Sequence, residues 1–84
     1  MPELIVEVMS VRTTTRDRGE KKATYERNGV LEYWIVDPRA EEVTVFHSVD
    51  GRFDAGSVYA VNDRLSSQVL AGFTIDVRDL MPLP

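Results

Sequence analysis

The stretch LIVEVMS, residues 4–10, reads as a β-strand at every position but one. Leu4, Ile5, Val6, Val8 and Met9 are apolar and partly β-branched, as strands prefer, and Glu7 stands among them. The nearly unbroken apolar run, over Glu3–Ser10, predicts burial on both faces, as in a central or parallel strand. Alternation puts Leu4, Val6 and Val8 on one face, and Glu3, Ile5, Glu7 and Met9 on the other. An ionised carboxylate in such a strand is costly unless it sits at the sheet's open end, is paired, or binds a metal. Glu7 is therefore the residue to explain.

Reading outward from this strand, Thr13, Thr14, Thr15 and Asp17 are candidate caps for a helix over Arg16–Asn28. Gly29 is its left-handed stop. The helix is polar, with Ala23 and Tyr25 its only clearly apolar members, and Asp17, Lys21 and Tyr25 fall on one stripe. VLEYWIVDP, residues 30–38, holds a second strand over Leu31–Asp37, with Trp34 and Val36 on one face and Tyr33 and Ile35 on the other. Strand, helix and strand with short joins form a βαβ unit with parallel strands. EVTVFHS, residues 42–48, predicts a third strand, antiparallel to the second across a turn at residues 38–41. Asp50-Gly51 marks a hairpin turn into a weaker strand over Arg52–Val61. A short strand over Phe73–Asp76 precedes a terminal turn at Val77–Met81. The expected fold class is α/β (α+β): one domain, residues 1–84, with a βαβ unit, one main helix and an antiparallel β-meander.

Composition narrows the function. The chain has 84 residues, no cysteine and a net charge of −4. No disulfide or thiolate metal site supports so small a core. No apolar run approaches a membrane span and no signal pattern opens the chain, so a cytoplasmic protein without a membrane partner is expected. An acidic total argues against non-specific nucleic-acid binding. Yet Arg12, Arg16, Arg18, Lys21, Lys22 and Arg27 crowd into one segment that could face a phosphate backbone. His47 has no His or Cys near it in sequence and reads as an exposed or strand-edge residue. Trp34 and its neighbours read as core, and Asp76, Arg78 and Asp79 as a surface charge cluster.

Phosphodiester cleavage would use such parts. Carboxylates hold Mg²⁺, which takes oxygen ligands and keeps several waters. The metal polarises the phosphate and activates water, and a lysine stabilises the developing charge. Glu7 could supply one ligand and Lys21 the cation, with a second acid required from another strand.

The run PELIVEVMSVRTTTRDRGEKKATYERNGVLEYWIVDP, residues 2–38, closely resembles the Uma2 family of bacterial, restriction-endonuclease-like proteins in the PD-(D/E)XK nuclease superfamily. Its spacing agrees without a gap, from Glu7 through Asp17, Gly19, Glu20, Lys21, Tyr25, Gly29, Glu32, Tyr33 and Trp34 to Asp37-Pro38. AGFTIDVRDLM, residues 71–81, is similar to the family's C-terminal ending. The resemblance implies DNA as substrate, Mg²⁺ or Mn²⁺ as cofactor, Glu7 as metal ligand and catalytic residue, and Lys21 as the catalytic cation. Lys21 would stand in for the superfamily lysine two residues after the acid, where this chain has Met9. Asp17, Glu20 and Tyr25 become candidates for orienting Glu7 and Lys21, and Arg12, Arg16 and Arg18 candidate DNA contacts.

The family's other metal-binding Asp lies on an earlier strand, so the resemblance covers only the C-terminal half of the fold. Glu3, on Glu7's face, is about 13 Å away along the strand and cannot easily share an ion with it. Lys22 and Thr24 replace usually apolar helix positions, which suggests a helix no longer packed against a full-length body. A sheet edge left open by a missing strand predicts a homodimer or higher homo-oligomer. Two main readings follow: a metal-dependent nuclease module, weak or inactive as this chain, or a non-catalytic oligomerising module derived from the same fold; a third, DNA binding without cleavage through the Arg12–Arg27 segment, has the net charge of −4 against it.

Overall fold

Strand β1 (Leu4–Val8) lies parallel to β2 (Glu32–Asp37), and helix α1 (Thr15–Arg27) joins them. The computed structural model describes residues 1–82. Thr14 caps the helix: its Oγ1 accepts from the Asp17 amide at 3.0 Å, and the Asp17 carboxylate accepts from the Thr14 amide at 3.4 Å. This reciprocal box satisfies two backbone donors that the first turn leaves free. At the other end the Val30 amide reaches back to the Tyr25 carbonyl at 3.1 Å, over Gly29 at φ +80°. That closure is a Schellman motif, and it returns the chain directly into β2.

β2 pairs antiparallel with β3 (Glu42–Val49) from Glu32↔His47 to Asp37↔Glu42. The turn is fixed by Asp37, whose Oδ1 accepts from the amides of Arg39 and Ala40. Asp50 and Gly51 both have positive φ, 53° and 82°, as a two-residue turn matched to strand twist requires. The single strand expected over Arg52–Val61 is instead two short ones, β4 (Arg52–Phe53) and β5 (Ser57–Ala60), each paired with β3. The break has a steric and a polar cause. Gly56 has φ +84°, and a Cβ there would lie 2.6 Å from the Phe46 ring. Asp54 Oδ1 accepts from the amides of His47 and Gly56, turning the chain out of the ladder.

The sheet is covered on both sides. Trp34, Val36, Val43 and Val45 pack against Leu65 and Val77. Those two come from a hairpin of β6 (Arg64–Ser66) and β7 (Thr74–Asp76) and from the 3₁₀ turn Val77–Leu80. β6 has no signal in the sequence: three residues with one buried apolar side chain are too short for alternation to show. On the opposite face Tyr33, Ile35 and Phe46 pack against Ile5, Met9, Tyr25 and Phe53.

Two expectations, on β1 and on His47, are corrected. β1 is an edge strand of the described sheet, not one buried on both faces, and Val6 and Val8 are 42% and 59% exposed. Helix α1 is docked despite its polarity. Lys22 Nζ lies 4.1 Å from the Phe46 ring centroid, and Glu26 Oε2 accepts from the Phe53 amide at 2.7 Å. Lys22 thus packs its stem and charge on an aromatic face, as apolar residues pack elsewhere, whereas Ala23 is exposed. His47 is neither exposed nor isolated: its Nε2 lies 3.2 Å from Oε1 of Glu32, and its side chain is largely covered. Glu32 is wholly buried. It also accepts from Trp34 Nε1, Ser67 Oγ and the Gln68 amide, each at 2.8 Å. These donors satisfy both oxygens and tie the β6–β7 hairpin to the main sheet.

Candidate functional site

Glu7 pairs with Ile35 in the β1–β2 register, which turns its side chain towards α1. Three donors from three places in the chain meet it. The Tyr25 hydroxyl, from the middle of α1, donates to Oε1. The Tyr33 hydroxyl, from β2, and Lys21 Nζ, one helical turn before Tyr25, each lie 3.4 Å from Oε2. The Glu7 side chain is 25% exposed and that of Lys21 57%. This ion pair is half in water and is worth about 1 kcal/mol at most. The phenols are held neutral. The hydrogen bond to Glu7, then burial, raises the Tyr25 pKa above its ordinary value. Burial first, then the Glu7 charge, raises that of Tyr33.

The remaining candidates separate. Arg18 lies under the helix beside the cluster, its Nη1 3.9 Å from Met9 Sδ. Asp17 is spent on the cap, and its stripe-mate Lys21 pairs with Glu7 rather than with it. Arg16 and Glu20 pair with each other at 3.0 Å on the outer surface, with both side chains mostly exposed. Arg12 lines an open groove of about 250 Å³ with Ser10, Thr13, Asp17, Glu20 and Lys21. A second hollow, about 470 Å³, continues past Met9, Ser10 and Thr13 to Asp37 and Arg39. The first opens beyond the carboxyl end of β1 and the second beyond those of β1 and β2, the end at which parallel strands present ligands.

The structure thus brings Glu7, Lys21 and Tyr25 together and leaves Glu20 and Arg16 outside. Tyr33 is a contact that sequence reasoning assigned to the core. Its parity with Ile35 was the available signal, since a parallel register sets that face against Glu7.

The donor set does not fit a divalent metal. Glu7 is the sole carboxylate in the cluster, and both its oxygens already accept hydrogen bonds. Among the described residues no three His, Cys, Asp or Glu side chains gather to hold an ion. Mg²⁺ bound by one carboxylate needs further oxygen ligands.

The sequence pattern of the Uma2 family, described as "Putative restriction endonuclease", matches residues 1–78. The chain belongs to the Uma2 family. Its fold is similar to a crystal structure described as "a putative nuclease belonging to DUF820 from Anabaena variabilis ATCC 29413", with TM-score 0.76 at 16% identity. That similarity covers 94% of this chain and 43% of the other, so this Uma2 chain spans less than half the length of the solved structure. No curated protein matches it. Among the described residues no helix is long and apolar enough to cross a membrane.

Proposed function

We propose that this Uma2 chain carries the phosphate-contacting half of a DNA phosphodiesterase site. Glu7 and Lys21 are its catalytic pair, Tyr25 and Tyr33 position Glu7, and Arg12 and Arg18 meet the DNA backbone. The observation that carries the reading is the meeting of Glu7 and Lys21 at 3.4 Å, where Lys21 also lines a groove with Arg12, Asp17 and Glu20. Arg16, paired outward with Glu20, contributes long-range attraction rather than a contact. Metal-dependent hydrolysis needs acids beyond Glu7, supplied from outside the described residues. The open edge of β1, beside Glu7, is where another strand can deliver one. As it stands, the chain is a weak or inactive nuclease.

A second reading rests on the same edge. Val6 and Val8, exposed beside unpaired backbone groups, suit strand addition by a second copy, which makes the chain an oligomerising module without catalysis. Supercoiled plasmid incubated with Mg²⁺ and then Mn²⁺ separates the two. Nicking that Lys21→Ala loses supports the phosphodiesterase. An intact plasmid that the wild type and Lys21→Ala bind equally, beside a folded chain, overturns it in favour of the oligomerising module.

A further inference from the structure

The charges around Glu7 are unbalanced in a way that points to a ligand. The cavity next to it is lined by Glu7, Thr13, Arg18, Lys21 and Tyr33, among others. Two cations thus face one carboxylate, and Lys21 alone pairs with that carboxylate. Arg18 is left over. Its guanidinium contacts only a methionine sulfur at 3.9 Å and the Thr15 hydroxyl at 3.5 Å, both weak. Its Nε is buried and has no hydrogen-bond partner among the described residues, the only side-chain polar atom there of which this is so. A buried N–H of a permanent cation without an acceptor leaves its desolvation uncompensated. Such a group persists where a bound water, an ion or a ligand oxygen supplies what the chain does not.

We propose that Arg18 and Lys21 form a metal-independent pocket for one terminal oxygen of a phosphodiester, with Arg18 Nε–H as its specific donor. The cavity's size supports this. At about 30 Å³ it admits a single water-sized atom and excludes a whole phosphate. The ligand must therefore present one oxygen from a bulkier body outside, as a nucleic-acid backbone does. The adjoining 250 Å³ groove, which shares Thr13 and Lys21 with the cavity, has room for that body. A guanidinium fork suits an oxyanion better than an ammonium would. The proposal deepens the phosphodiesterase reading and rests on it for the ligand class, but it requires no metal and no cleavage.

Dimethyl phosphate titrated into the ¹⁵N-labelled chain, in chelator and at fixed ionic strength, tests it by amide shifts. Saturable shifts at Met9, Thr13 and Arg18 are expected. Arg18→Met should weaken them about tenfold, the loss of one charge-assisted hydrogen bond. Arg18→Lys, which keeps the charge and loses Nε, should weaken them nearly as much. Glu7→Gln, by removing the competing negative charge, should tighten them several-fold. Arg27→Ala, in the last turn of α1, should leave them unchanged. Equal binding by Arg18→Met or Arg18→Lys, or no saturable shift in the wild type, overturns the pocket. Plasmid cleavage can fail while this titration succeeds, so the two ideas fall separately.

Discussion

Glu7 keeps its place in an apolar strand because two phenols and an ammonium converge on it, each from a different segment. That arrangement has a consequence at high pH. Tyr25 and Tyr33 hold their protons beyond the ordinary phenol range, while the unfolded chain loses them near pH 10. Above that pH the unfolded state binds fewer protons than the folded one, so stability falls as pH rises, and below it these groups contribute no slope. Urea midpoints from about pH 9 to about pH 11 should decline, and Tyr33→Phe should flatten the decline. An unchanged slope in that variant would contradict the assignment. At this scale the sequence was half legible. Glu7 is conspicuous because burial makes a lone carboxylate expensive. Tyr33 is not, because an apolar ring hides a hydroxyl whose partner is 26 residues away.

Helix α1 illustrates how a polar element can still be an inner one. Its docking face is Arg18, Lys22, Tyr25 and Glu26, spaced at i, i+4, i+7 and i+8. Hydropathy is blind to this stripe, since the contacts are a cation on a ring, a carboxylate on a backbone amide and a phenol on a carboxylate. The local signals were legible by contrast: a threonine cap, a glycine stop and a two-residue hairpin turn are each decided within a few residues. Such a helix has little propensity or apolar burial in reserve, so its cap matters. Thr14→Ala should cost about 1 kcal/mol in urea denaturation. It should also lower Lys21–Glu7 contact, seen as a loosened β1 in hydrogen exchange. A change within error would mean that tertiary contacts alone hold the first turn.

Across the whole molecule, one buried carboxylate joins the parts. Glu32 binds its own strand through Trp34, the third strand through His47, and the β6–β7 hairpin through Ser67 and Gln68. Glu32→Ala strands those donors in the interior and should destabilise by about 3–5 kcal/mol, the cost of removing one side of a buried polar pair. A loss below about 1 kcal/mol would mean the hairpin is held by Leu65 and Val77 alone. The Ser67 and Gln68 contacts of this network were not legible, because they arrive with β6, which leaves no periodic trace; the His47 contact follows from the β2–β3 register. The βαβ unit and the class of the fold were legible, because the parallel pair and its crossover are written in two long strands and one capped helix.

The same scale decides what the Glu7 cluster is for. Two cations against one engaged carboxylate suit the proposed anion pocket, and a metal needs acids that the described residues do not bring. Paramagnetic broadening by Mn²⁺ in the ¹⁵N-labelled chain, without DNA, measures this most directly. No selective broadening at Glu7, Val8 and Met9 is expected at micromolar Mn²⁺, with the same spectra for Glu7→Gln. Selective broadening of those amides that Glu7→Gln abolishes would show a competent metal site already present, and would contradict this expectation.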